Sequence, residues 1–184
     1  MANKTSSAER REKLRNEYWA EEDAWTGEGE KGWFRAPRTL PLILELLASK
    51  DLSGSSDPTR VYLELLARHI NEGIVEMTHE GEHAYAAGYF GSRAVRTWQE
   101  RMKILERNGF IKTRHIGNQR YRYVLIVHPT TVIKKLREAK KVSDQWWDTY
   151  RARQIETKEA SYEERQKSRV ASNVVPIKAT KVAS

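Results

Sequence analysis

The chain has 184 residues, which is enough for one domain of ordinary size with extensions. It carries 33 Lys and Arg residues against 25 Asp and Glu, and the formal charge of +8 favours a polyanionic partner. The absence of cysteine excludes disulfides, iron–sulfur clusters, thiolate zinc sites and cysteine nucleophiles. No apolar run reaches the ~20 residues of a membrane span, and the first residues lack the apolar core of a signal peptide, so we expect a cytoplasmic protein without membrane contact.

The composition divides the chain into four parts. Residues 1–35 form a charged, tryptophan-bearing arm, which we expect to dock on the body of the protein or on a partner. Residues 36–130 form the compact part and residues 131–169 a helical region, while residues 170–184 are expected to be a flexible basic tail. The pattern predicts an α+β, mostly helical fold.

The compact part begins with two helical segments. RTLPLILELLAS predicts a helix with Pro41 in its first turn, and PTRVYLELLARHINEG predicts an amphipathic helix that Gly73 ends. The stretch between them, KDLSGSSDP, is typical of a loop. IVEMT then predicts a short strand.

SRAVRTWQERMKILERNGF predicts a strong helix, for which Ser92 is the expected cap. The apolar residues of this helix recur on one face, which we expect to be buried: Val95, Trp98, Met102 and Leu105.

Beyond residue 110 the apolar period changes from that of a helix to that of a strand. IKTRHI and QRYRYVLIV predict two strands, and Gly117-Asn118 predicts a tight turn between them because both residues tolerate positive φ. With that turn, Arg114 is expected to pair with Tyr121 and Lys112 with Tyr123.

The stretch from residue 130 to residue 167 predicts a long helical region. An apolar stripe runs along its first half: Val132, Leu136, Ala139, Val142, Trp146 and Tyr150. A stripe of this kind has to be buried, either against the chain's own domain or between two copies. The adjacent tryptophans at 146 and 147 favour a homodimer through this helix.

The order helix, strand, helix, helix, strand, tight turn, strand over residues 60–128 resembles the winged helix-turn-helix superfamily of DNA-binding domains. The likeness is strongest where RTWQERMKILERNGF runs through Asn108-Gly109-Phe110 into the hairpin. The resemblance implies a recognition helix over residues 92–107 in the major groove, and a wing over residues 111–127 on the backbone or minor groove. The turn GYFGSRA departs from the pattern, since it is several residues longer than usual.

The basic surplus is concentrated in the same region. Residues 93–122 hold nine Lys and Arg against two Glu, which is +7 of the +8 of the whole chain. Five residues of the helix fall opposite its apolar face: Arg93, Arg96, Thr97, Glu100 and Lys103. Arg reads guanine, Thr meets the thymine methyl group and Glu accepts from cytosine, so we expect this face to read bases. The expected DNA contacts of the hairpin are Lys112, Arg114, Asn118, Gln119, Arg120 and Arg122.

These features predict a nucleoid-associated protein that binds specific sequences of double-stranded DNA, most simply a transcriptional regulator. The layout also resembles proteins of plasmids and other mobile elements that bind DNA repeats in replication initiation or partition. A winged helix that binds protein rather than DNA is a further alternative.

HEGEH, at residues 79–83, matches the H-E-x-x-H pattern of zinc hydrolases. That hypothesis would make His79 and His83 metal ligands, but no third ligand follows at close spacing. Gly81 weakens a helix here, whereas Glu80 and Glu82 suit the first turn of one. HEGEH therefore predicts the polar start of the first helix of the DNA-binding motif, after a Thr78 cap, and we expect neither a cofactor nor an enzymatic activity.

Overall fold

The computed structural model describes residues 7–18, 34, 36–69 and 73–173. The chain separates into two units, residues 1–33 and residues 34–184. In the first unit the structure describes one helix, α1 (Ser7–Tyr18). The predictions for the arm's tryptophans (Trp19, Trp25 and Trp33) and for the tail beyond residue 173 lie outside the described residues.

In the second unit three helices come first: α2 (Leu40–Ala48), α3 (Lys50–Ser53) and α4 (Thr59–Arg68). Strands and helices then alternate: β1 (Ile74–Glu76), α5 (Glu80–Ala86), α6 (Ala94–Arg107), β2 (Ile111–Ile116) and β3 (Gln119–Ile126). Three more helices follow: α7 (Pro129–Glu138), α8 (Asp144–Glu156) and α9 (Tyr162–Asn173). The α+β, mostly helical class is confirmed, and so is the predicted order of elements from α4 to β3.

The three strands form one antiparallel sheet in the order β1-β3-β2. Ile116 pairs with Gln119 across the predicted Gly117-Asn118 turn. The predicted register is wrong beyond this pair, because Arg114 lies opposite Tyr123 and Lys112 lies opposite Leu125. The ladder is irregular between Arg114 and Ile116. Before this irregularity, each residue of β2 pairs with a residue of β3 that lies two positions further along the chain than predicted.

One hydrophobic core joins the sheet to the helices on both sides of residue 130. Its largest fully buried side chains include Trp98, Tyr62, Tyr121, Tyr150 and Phe110. Four residues of the apolar stripe in the C-terminal region are buried in this same core: Val132, Leu136, Val142 and Tyr150. Most of the surface that the sequence offers for a homodimer is therefore packed within the chain's own domain, while Ala139 is exposed and Trp146 is half-buried.

The predicted long helical region is helical, but it is three helices rather than one, because two left-handed residues divide it. Lys140 has φ 56, and the amide of the next residue, Lys141, donates to the carbonyl oxygen of Leu136 at 2.9 Å. Lys158 has φ 54 and ends α8 in the same way. Glycine usually occupies this position, because in other residues the Cβ atom comes too close to the backbone, which is unfavourable.

Several predicted helix ends are also wrong. Arg93, not Ser92, occupies the N-cap position of α6, and His79, not Thr78, that of α5. Helix α4 ends at Arg68, and Gly73 instead accepts a hydrogen bond from the Ile126 amide at 2.8 Å. The predicted loop after α2 begins with the short helix α3.

Replacing Lys140 with Gly is expected to raise the free energy of unfolding by about 0.5–1 kcal/mol, because Gly adopts the left-handed backbone without steric cost. Lys141→Gly is the matched control, at an exposed neighbour whose φ is not positive, and it is expected to lower stability. Urea unfolding followed by circular dichroism measures both. Equal effects of the two substitutions would contradict this account of the helix end.

Candidate nucleic-acid interface

Helix α6 is held in place by its buried face. Trp98, Met102 and Leu105 have no exposed surface, as the sequence predicts, while Val95 is only half-buried. The ring of Trp98 meets that of Tyr121 on β3 edge to face, with centroids 5.4 Å apart. Each fully buried side chain of this size stabilises the fold by roughly 1.5–3 kcal/mol. The helix therefore cannot rotate about its axis without exposing these side chains.

The opposite face of α6 points to solvent. The predicted base-reading residues lie on it, with Arg93, Arg96, Glu100 and Lys103 exposed and Thr97 half-buried. The Nε atom of Arg96 lies 3.4 Å from Glu100 Oε1, and because the Arg96 side chain is 81% exposed, this ion pair is weak. Among the described residues, Arg93 and Lys103 form no ion pair or side-chain hydrogen bond. This outward stripe thus presents three cations and one carboxylate.

Two further arginines of α6 serve the fold instead. Arg101 donates to the carbonyl oxygen of Thr97 at 3.4 Å, and its guanidinium lies 5.8 Å from the centre of the Tyr89 ring. Arg107 donates to the carbonyl oxygen of Leu52 at 2.9 Å. Their charges contribute to the local surplus, but one nitrogen of each guanidinium donates within the domain.

The hairpin residues divide between two faces of the sheet. Ile111 is buried, and Thr113 donates to the Glu106 carboxylate on α6, so both side chains lie on the helix side. Because successive residues of a strand point to opposite faces, Lys112 and Arg114 lie on the outer face, away from α6. The structure does not bring these two predicted contacts into one surface with the outward stripe of α6.

The tip of the hairpin lies on the α6 side. Arg120 forms an ion pair with Glu106 of α6 at 3.2 Å. Arg120, Asn118 and Gln119 are exposed, and they line a groove of about 700 Å³ that runs to the start of α5. Burial raises the pKa of the Tyr121 phenol beside this groove, with Arg120 opposing the shift. The neutral phenol donates to the carbonyl oxygen of Gln99 on α6 at 3.4 Å.

Arg122 is engaged within the sheet. Its Nη1 atom donates to the carbonyl oxygen of Met77 at 3.0 Å, and its Nη2 atom lies 3.8 Å from Glu76 Oε2. Its guanidinium also lies 5.5 Å from the centre of the Tyr123 ring. This side chain joins β3 to the end of β1, so its first role is structural.

The two histidines of HEGEH lie in different environments. His79 is exposed at the N-cap of α5, whereas His83 is 3% exposed and its Nδ1 atom lies 3.0 Å from Glu64 Oε1 on α4. The same carboxylate oxygen accepts a hydrogen bond from Arg68. In the ranges that the structure describes, no three His, Asp or Glu side chains are grouped to hold a metal ion. HEGEH begins α5, as predicted.

Two exposed aromatic side chains precede the outward stripe in the chain and had no role in the sequence prediction. Tyr85, near the end of α5, is 69% exposed, and Phe90, in the turn to α6, is 68% exposed. Their ring centroids lie 5.1 Å apart. The unusual length of GYFGSRA was the available signal, but it does not show which of the aromatic residues points outward.

Comparisons of the chain with protein-family models, with curated proteins and with solved structures give no match. No helix in the described part of the chain is long and apolar enough to cross a bilayer.

Replacing His83 with Ala is expected to lower the free energy of unfolding by about 1–3 kcal/mol, because the substitution removes one of the two partners of the buried Glu64 carboxylate. His79→Ala, the matched control, is expected to change it by less than about 0.5 kcal/mol, because His79 is exposed. Thermal unfolding with and without EDTA measures both variants. A zinc site formed by the two histidines would instead give comparable losses and a melting temperature that EDTA lowers.

Proposed function

We propose that this chain is a winged helix-turn-helix protein that binds specific sequences of double-stranded DNA, acting as a transcriptional regulator at the nucleoid. In this proposal α6 is the recognition helix and the β2–β3 hairpin is the wing. Support comes from the order of elements from α4 to β3 and from the strand order β1-β3-β2, in which the hairpin follows α6 directly.

The outward stripe of α6 carries the proposal. It places Arg93, Arg96 and Lys103 on one side of a helix whose other side is locked into the core. An α-helix with side chains is about 10–12 Å across, and the major groove of B-DNA is about 12 Å wide. The stripe also holds Thr97 and Glu100, and groups of these types discriminate between base edges.

In this proposal the hairpin makes fewer contacts with DNA than its charge suggests. In the proposed complex Asn118, Gln119 and Arg120 at the tip contact the backbone or the minor groove beside the helix. Lys112 and Arg114 face the other way, and they reach phosphates only if the DNA bends around the sheet. Most of the apolar stripe of α7 and α8 is buried, so little of it is left for a homodimer.

The same surface suits the alternative role in plasmid or mobile-element replication or partition. The two roles differ in the arrangement of their targets, which is isolated sites beside promoters for a regulator and clustered repeats for an initiator or partition protein. A winged helix that binds protein would depend little on the arginines of α6.

Selection of genomic fragments by the pure protein, at near-physiological salt, is expected to enrich a defined sequence motif. A motif near promoters would support the regulator, and an array of repeats would support replication or partition. Failure to enrich any motif would overturn sequence-specific DNA binding.

Arg93→Ala combined with Arg96→Ala is expected to weaken binding to the enriched motif by roughly 10-fold or more, because each Arg–guanine contact is worth about 1–3 kcal/mol. Lys140→Ala combined with Lys141→Ala removes the same charge from an exposed position on another part of the domain, and is expected to change the affinity little. Fluorescence anisotropy over a range of salt concentrations measures both. Equal losses in the two double variants would show that only net charge matters.

A further inference from the structure

The turn between α5 and α6 is closed by its own backbone. The amide of Tyr89 donates to the carbonyl oxygen of Ala84 at 2.9 Å, which ends α5 in a Schellman arrangement. Gly88 and Gly91, on either side of Phe90, have φ of 82 and 79. These left-handed positions favour glycine, so the direction in which Phe90 points is built into the backbone.

The aromatic residues of this turn point in different directions. Tyr89 is half-buried, under the guanidinium of Arg101. Tyr85 and Phe90 point outward, and their planes are 83° apart. Each large ring that stays in water lacks the roughly 1.5–3 kcal/mol of stabilisation that its burial would provide. Neighbouring exposed aromatic rings of this kind mark a contact surface.

On the α6 side of the two rings the charged side chains are basic, whereas Glu82 lies one turn before Tyr85 on α5. Arg93 and Arg96 follow Phe90 at the start of α6, and both are exposed. Arg60 on α4 also reaches the turn. If Gly88 carried a Cβ atom, that atom would lie 3.2 Å from the Nη1 atom of Arg60. The sequence contains no acidic residue between Glu82 and Glu100. Aromatic faces among cations match a partner that has both flat rings and negative charge.

We propose that the α5–α6 turn binds unpaired bases of DNA, with Tyr85 and Phe90 in contact with the bases and Arg60 and Arg93 with the phosphates. Stacking on aromatic side chains contributes about 1–3 kcal/mol per base and tolerates any base. Because the two rings are nearly perpendicular, they do not both stack on one continuous run of parallel bases. The surface therefore takes bases that have left the double-helical stack.

This inference rests on the proposed DNA binding and adds to it a preference for DNA with a short unpaired segment. The outward stripe of α6 continues directly from the turn through Arg93, so one DNA molecule contacts both. Paired DNA in the major groove is read by α6, and the adjoining unpaired bases are held by the turn.

The test compares a labelled duplex with the same duplex carrying a short run of mismatched thymidines, both titrated with the full chain. The unaltered protein is expected to bind the mismatched probe roughly 10-fold more tightly, as stacking of one or two bases provides. Tyr85→Ala combined with Phe90→Ala is expected to abolish this preference and leave duplex affinity within about twofold. The control, Ile155→Ala combined with Val170→Ala, removes apolar side chains that are 74% and 66% exposed elsewhere, and should keep the preference.

The possible results separate the two proposals. Equal affinity of the unaltered protein for the two probes would overturn the inference while leaving DNA binding intact, and would assign the aromatic pair to a protein partner. Loss of the preference in the control variant as well would also overturn it. Failure of the unaltered protein to bind either probe would instead overturn DNA binding itself. Circular dichroism checks that each variant is folded, which is expected since all four replaced side chains are exposed.

Discussion

The buried indole of Trp98 is the contact on which the arrangement of the domain's exposed charges depends. It lies against Tyr121 of the sheet and 6.1 Å from the His83 ring of α5, so one side chain joins three elements. Truncating a buried tryptophan to alanine typically costs about 3–5 kcal/mol. A rotation of α6 that moved its cations inward would expose this ring and bury charge without partners, and both changes are unfavourable. The position of Arg93 and Arg96 on the surface is thus a consequence of packing on the other side of the helix.

The hydrogen bond between Glu64 and His83 provides the second constraint, because it joins α4 to the helix that leads into the α5–α6 turn. A buried carboxylate requires partners, and this one has His83 within the core and Arg68 at its edge. The pattern H-E-x-x-H arises here from two unrelated requirements, a polar residue at the start of α5 and a hydrogen-bonding residue one turn later. Fixing α5 in this way also fixes the direction in which Tyr85 and Phe90 point.

What the sequence predicts correctly is local. The buried face of α6 follows from its helical period, and the hairpin turn follows from Gly117-Asn118. The register of β2 on β3 could not be derived, because Glu106 of α6 binds both Thr113 and Arg120, one on each strand, and the ladder is irregular between them. The division of the C-terminal region was missed because lysines, which carry no turn signal, occupy its left-handed positions. Serine caps do mark the next helix starts: Ser143 accepts from the Trp146 amide at 3.2 Å, and Ser161 from that of Glu164 at 3.2 Å.

The charge of the basic cluster at residues 93–122 can be counted in the sequence. The sequence does not show which of these side chains are engaged within the domain and which are left to contact a ligand. Three arginines of the cluster donate to backbone carbonyl oxygens of the domain: Arg101, Arg107 and Arg122. Arg120 is paired with Glu106, and two more cations lie on the outer face of the sheet. The cations that remain together are those on the outward stripe of α6, and they continue into the aromatic turn. In the proposed complex, short-range contact with DNA depends on the geometry of α6 and this turn, while the full charge of the cluster would act at longer range by drawing a polyanion toward it.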